Sequence, residues 1–103
     1  MVRYKIEWSL EAREDLIDIL DFYNKRNVSS TYSRKLYINF QKRIKLLSHN
    51  PFLGVRTDFE TVRVLITDNY QIIYEIFEDF ILIILIWDSR RNPEDKMISR
   101  RIK

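Results

Sequence analysis

The chain has no cysteine, one glycine, two prolines and one histidine in 103 residues. Without cysteine there is no disulfide framework, no thiolate metal site and no cysteine nucleophile, and a reducing cytoplasm is the expected compartment. A single glycine leaves no phosphate-cradling glycine loop, and no cluster has metal-ligand spacing. Neither a metal nor another cofactor is therefore expected. The longest apolar run, Phe80 to Trp87, has eight residues, against the roughly 20 that a spanning helix needs, so no membrane association is expected. Met1-Val2-Arg3-Tyr4-Lys5 lacks the apolar stretch of a signal peptide. Internal repeats and low-complexity tracts are also missing.

What is present is 46% hydrophobic and 32% charged residues, the balance of a globular chain folding as one domain over residues 1–103. The net charge of +3 is segregated. Residues 29–49 hold Arg34, Lys35, Lys42, Arg43 and Lys45 and no acid, whereas residues 50–87 hold two arginines against six acids. The segment 88–103 is basic again, with six Lys/Arg against three acids. Such zones suit phosphates or an acidic protein, or are simply solvated faces.

Val2, Tyr4, Ile6 and Trp8 alternate with Arg3, Lys5 and Glu7, the period of a half-buried strand. Ser9 can cap a following helix, in which Ala12, Leu16, Ile19, Leu20 and Tyr23 form an apolar stripe and Asp15, Asp18 and Asp21 an acidic side. After the break Asn27-Val28-Ser29-Ser30, the residues Tyr32, Leu36, Phe40, Ile44 and Leu47 predict a second helix, stopped by Asn50-Pro51 and Gly54. The short link makes the two an antiparallel hairpin. Strands are expected near 61–66, 70–77 and 80–87, the last two joined by a turn at Glu78-Asp79.

The register follows from this turn. With Phe77 opposite Phe80, Tyr70, Ile72, Tyr74 and Ile76 share a core face with Ile81, Ile83, Leu85 and Trp87. A three-residue loop Thr67-Asp68-Asn69 would add Val62, Val64 and Ile66 to that face. The other face then carries Leu65, Ile73, Phe77, Phe80, Leu82, Ile84 and Ile86, with Arg63, Gln71 and Glu75 among them. It is too apolar to stay wet, so the C-terminal tail, a second copy or a partner should cover it. Leu65, Ile73, Phe77, Phe80, Leu82 and Ile84 are the expected partner-binding set.

The element order resembles the RelE/ParE superfamily, the toxins of type II toxin–antitoxin modules. The residues carrying the likeness are Trp8-Ser9 with Ala12 and Asp15-Leu16; Pro51 and Gly54; Arg63 before Tyr70-Gln71-Ile72-Ile73-Tyr74; and Trp87-Asp88-Ser89-Arg90-Arg91-Asn92-Pro93. The resemblance implies an α+β fold, β-α-α-β-β-β, with the helical hairpin packed on one face of an antiparallel sheet. It also implies a cognate antitoxin, acidic and partly disordered until bound, and either a homodimer or a toxin–antitoxin hetero-oligomer. The target implied is DNA gyrase for ParE-like members, or mRNA on the ribosome for RelE-like ones.

RNA cleavage through a 2′-hydroxyl needs a base, an acid and stabilisation of the phosphorane charge. The likeness to RelE proper puts an arginine where this chain has Gln71, and a tyrosine near Met97. Arg91 matches a family arginine, and Arg63 is a second cation. Arg63 and Arg91 are thus the catalytic candidates, while Arg90, Arg91 and Lys96 are the target- or phosphate-binding ones. Arg90 and Arg91 also read as a solvated turn paired with Asp88, Glu94 or Asp95. Tyr70 and Tyr74 read as core, Glu75 as an exposed strand carboxylate and His49 as a helix-terminal surface residue. The resemblance therefore leans to a ParE-like toxin acting on a replication or translation target. The alternatives are a ribosome-dependent mRNA endoribonuclease and an inactive module member that only binds its antitoxin.

Overall fold

Strand β1 (Lys5–Trp8) runs through Ser9 straight into helix α1 (Leu10–Asn27). Ser9 caps it as expected, its Oγ accepting from the Ala12 amide at 3.1 Å and so satisfying one of the donors that every helix start leaves open. The computed structural model describes residues 3–91, 96 and 98–102; the expectations for Val2, Asn92, Pro93, Glu94, Asp95 and Met97 lie outside these. α1 ends at Val28, whose φ of 49° is left-handed. Helix α2 (Thr31–His49) then returns antiparallel. Ser29 Oγ accepts from the Thr31 amide at 3.2 Å, and the Ser33 hydroxyl donates to Asn24 Oδ1, tying the two helices together at the bend.

Four strands follow: β2 (Val55–Arg56), β3 (Val62–Thr67), β4 (Tyr70–Ile76) and β5 (Phe80–Asp88). Their order in the sheet is β1-β5-β4-β3-β2. The sheet is mixed, not antiparallel as expected, because β1 pairs β5 in parallel. The reason lies in the apolar run of β5: a strand buried on both faces belongs inside a sheet, and β1 supplies the neighbour that β4 leaves missing. The two-residue β2 adds a further edge strand within the expected loop.

The Glu78-Asp79 turn is as expected, with the Phe77 amide donating to the Phe80 carbonyl at 2.9 Å. Two other register expectations are corrected. Thr67 pairs Tyr70, so the β3–β4 turn holds two residues, Asp68 and Asn69, and not three. A φ of 54° at Asp68 permits this tight reversal. Arg63, Leu65 and Thr67 therefore share the face of Tyr74, Ile72 and Tyr70, while Val62 and Val64 take the other. The second correction is a bulge: Tyr74 pairs Ile83 but Ile73 pairs Leu85, leaving Ile84 as the extra residue. Beyond it every side chain of β5 changes sides. Ile86 joins the helix-side core with Ile72 and Tyr74, and Leu85 and Trp87 move to the opposite face.

Two apolar layers result. Phe40, Ile44 and Leu47 of α2 and Ala12 and Tyr23 of α1 pack on Ile72, Tyr74, Ile81 and Ile83. On the other side Val62, Ile73, Leu82, Ile84, Leu85 and Trp87 are buried, with Ile98 and Ile102 of the tail against them. Of the covers considered from sequence, the chain's own tail is the one in place. A 3₁₀ turn, Ile98–Arg100, shapes it.

Candidate functional site

β1 stops five residues short of the C-terminal end of β5: the pairing ends at Trp8 and Ile83. The free edge of β5 beyond that point is closed by side chains. Asp15 Oδ2 accepts from the Ile86 amide at 3.1 Å, and Arg101 donates to the Ile84 carbonyl at 3.1 Å and to Asp15. This ion pair fixes the tail to α1 and holds the end of β5 rigid where Asp88 to Arg91 leave the sheet.

The segment after β5 turns on Asp88. Its Oδ1 accepts from the Arg90 amide and from Arg90 Nε, both at 2.9 Å, and its Oδ2 accepts from Arg90 Nη2 at 2.7 Å. A carboxylate gripped by guanidinium and backbone stays ionised. The Arg90 guanidinium lowers the Asp88 pKa, and Asp88 in turn raises that of Arg90. The same Nη2 reaches Tyr23 Oη at 3.2 Å, and the Tyr70 hydroxyl donates to Tyr23 Oη at 3.0 Å. The two phenols are pushed apart. Donation from Tyr70, then from Arg90, stabilises the Tyr23 phenolate and lowers its pKa; burial, then the bond to Tyr23, raises that of Tyr70.

A cleft of about 430 Å³ opens here, walled by Ile19, Phe22, Tyr23 and Tyr70 and rimmed by Asp18, Arg26, Arg90 and Arg91. The Arg91 guanidinium lies 4.6 Å from the centre of the Trp87 ring. Neither Arg26 nor Arg91 is in an ion pair among the described residues. Trp87 holds Arg91 by its face. Lys96 Nζ donates to Gln71 Oε1 at 2.7 Å. The arrangement presents oriented cations and one phenol disposed to give up its proton.

The predicted residues divide. Arg90, Arg91 and Lys96 gather around the end of β5. Arg63 does not join them: it is level with Tyr74 and Ile83, five residues before β5 ends at Asp88, roughly 16 Å at the usual strand rise, and Arg91 lies in the turn beyond that end. Arg63 Nη1 instead donates to the Gly54 carbonyl at 2.8 Å, and its guanidinium sits over Phe52. It clamps the 51–54 loop together with Tyr74, whose hydroxyl donates to the Pro51 carbonyl at 2.7 Å. Arg63 and Arg91 thus form no joint phosphate clamp.

Of the expected partner-binding set, Leu65 is in the helix-side core, and Ile73, Leu82 and Ile84 are buried on the face that Ile98 and Ile102 cover. Phe77 and Phe80 are half-buried and stacked at 4.5 Å. Glu75, read as an exposed carboxylate, is 6% exposed and bonded to Thr61, since it pairs Val62 and Leu82 on that same covered face. Sequence reasoning missed Tyr23 and Arg26: Tyr23 reads as one more apolar stripe residue, and Arg26 as a helix-end cation. A polar-tipped aromatic at the end of an otherwise aliphatic stripe was the available signal.

No three His, Cys, Asp or Glu side chains converge as a metal site among the described residues, and no described helix is long and apolar enough to cross a membrane. Among curated proteins none matches the chain. A solved structure described as "Chromosomal ParDE TA system from P. aeruginosa" has the same fold, with a TM-score of 0.74 and 20% identity, over 85% of this chain and 98% of that one. The family model described as ParE toxin of type II toxin-antitoxin system, parDE, matches residues 6–93, from the middle of β1 to just past Arg91. The chain belongs to the ParE toxin family of type II toxin–antitoxin systems.

Proposed function

We propose that this chain arrests growth by binding a nucleic-acid-bearing replication enzyme, DNA gyrase, through the cations at the end of β5, and that an acidic antitoxin neutralises it. The observation that carries the reading is Arg91, stacked on Trp87 and in no ion pair among the described residues, at the end of a braced central strand. A cation already desolvated on one face and oriented by a ring costs less to dock against an anionic surface. Arg90 lies beside it, aimed by Asp88 and Tyr23, and the cytoplasm is the compartment this target requires. Gln71 is occupied by Lys96, and Arg63 is far from Arg91. Both facts favour binding over phosphodiester cleavage at this site. In cells induced for the toxin, with DNA and protein synthesis followed separately, DNA synthesis stops first and a DNA-damage response appears; Arg91→Ala restores growth at equal protein level. Unimpaired growth on induction of the unaltered chain would leave only an inactive, antitoxin-binding module member.

A second reading, ribosome-dependent mRNA cleavage, has one observation in its favour: the lowered pKa of Tyr23 beside Arg90, which suits a proton donor to a leaving oxygen. It predicts cleaved mRNA in a translation assay, lost with Tyr23→Phe, and protein synthesis failing before DNA synthesis.

A further inference from the structure

Three side chains of α1 stand in one row. Asp18, Phe22 and Arg26 follow one another at intervals of four residues, which places them on one face of the helix. At the helical rise their Cα atoms span roughly 12 Å from the acid to the cation. All three border the cleft beside Tyr23. The row is no part of the core: Phe22 is 57% exposed, and Asp18 and Arg26 are exposed as well. Neither Asp18 nor Arg26 is in an ion pair among the described residues.

The two ends of the row differ in charge. At the Arg26 end a second cleft, of about 310 Å³, adjoins the first around Tyr23. Arg26, Arg90, Asn27 and Asn69 line it, and no acid does. Arg90 gives its Nε and Nη2 to Asp88 and Tyr23, whereas its Nη1 has no partner among the described residues. Guanidinium and amide donors here suit an anion. At the other end Asp15 is held by Arg101, so Asp18 is the carboxylate left to accept hydrogen bonds from a ligand. Between the ends, Phe22 meets Tyr23 edge to face at 5.1 Å and offers a ring on which a planar group can stack.

We propose that this row binds a free guanine nucleotide. The base lies on Phe22, its N1–H and N2–H groups donate together to the Asp18 carboxylate, and the phosphates rest between Arg26 and Arg90. Adenine fits less well, because it sets a ring acceptor beside its one amino donor and so turns a lone pair towards the carboxylate. A nucleotide within a strand is a poorer occupant than a free one. Asp15 and Asp21 flank Asp18 on α1, and further phosphates passing the base end would meet these acids. The site shares Arg90 with the toxin reading but not its target. Its test involves no growth arrest, so either can fail while the other stands.

Calorimetric titration of the intact folded chain with guanosine 5′-diphosphate tests this. One molecule should bind per chain, at least about tenfold more tightly than adenosine 5′-diphosphate. Arg26→Ala and Phe22→Ala should each weaken binding about tenfold or more. Asp18→Asn should remove the preference for guanine without weakening the adenine nucleotide. All three side chains are exposed, so the variants should keep the urea midpoint of the unaltered chain. In its NMR spectrum the Asp18, Phe22 and Arg26 amides should shift on titration. No saturation, equal affinity for the two diphosphates, equal affinity for pyrophosphate alone, or shifts confined to another face overturns the proposal. So does tighter binding of a guanine-containing single-stranded DNA oligonucleotide than of the diphosphate, which assigns the cleft to a strand.

Discussion

Tyr23 and Tyr70 have the same side chain and sit 3.0 Å apart, yet their acidities diverge because one donates and the other accepts. In an alkaline titration followed by phenolate absorbance, the first phenol to ionise should disappear with Tyr23→Phe and shift to higher pH with Arg90→Ala. Tyr70 has the opposite linkage. Its folded-state pKa is raised, so the stability it confers is complete below the ordinary tyrosine pKa of about 10 and is lost as pH rises beyond it. Denaturant midpoints should therefore fall above that pH, and more gently in Tyr70→Phe. Gly54 is a residue-scale constraint of a steric kind. A Cβ there would lie 2.6 Å from Tyr74 Oη and 2.8 Å from the Val64 carbonyl. The Gly54 amide also donates to Tyr74 Oη at 2.9 Å. Gly54→Ala should cost about 1–3 kcal/mol by overpacking, read as a lower urea midpoint at unchanged slope. Gly54 was legible as a helix-stopping residue; that its backbone also meets a buried phenol was not, because Tyr74 is 20 residues away.

At the scale of elements, the helices and the β4–β5 turn were readable, since apolar period and capping residues are local. The faces of β3 and β5 were not. Parity along a strand is a simple rule, but one bulged residue at Ile84 and one residue fewer in the Asp68-Asn69 turn each invert it. Neither leaves a strong sequence mark in a run of Ile and Leu that is apolar on both faces. The open edge of β5 is likewise a property of two elements together: Asp15 on α1 and Arg101 on the tail serve it because β1 stops short. Asp15→Ala and Arg101→Ala should each destabilise the chain by about 1–3 kcal/mol, since each leaves a buried backbone group or a half-buried charge unpaired. In a double-mutant cycle the two should couple by at least about 1 kcal/mol, whereas additive effects would show that the edge closes without them.

For the whole molecule, the tail converts a sheet with helices on one side into a three-layer body. Ile98 and Ile102 pack on the buried second face. Replacing both with alanine should lower stability by roughly 2–4 kcal/mol and increase binding of a dye that reports exposed apolar surface. Retention of full stability would mean that the second face is protected by other means. With the tail in place, Ile73, Leu82 and Ile84 are part of the core, as Leu65 is on the helix side, and the Arg90–Arg91 cleft stays open.

The sequence by itself determined the α+β order, the helical hairpin, the turn at Glu78-Asp79, the excess of apolar surface that demanded a cover, and the cations after the last strand. These follow from neighbours within a few residues, where periodicity and charge act directly. Tertiary structure alone decided that β1 lies parallel to β5 and that the tail is the cover. It also decided that Arg63 and Arg91 stand at opposite ends of the sheet, and that Tyr23 on α1 meets Tyr70 and Arg90. Each of these depends on pairing between distant segments, and there a single bulge or a turn shorter by one residue redirects every side chain beyond it.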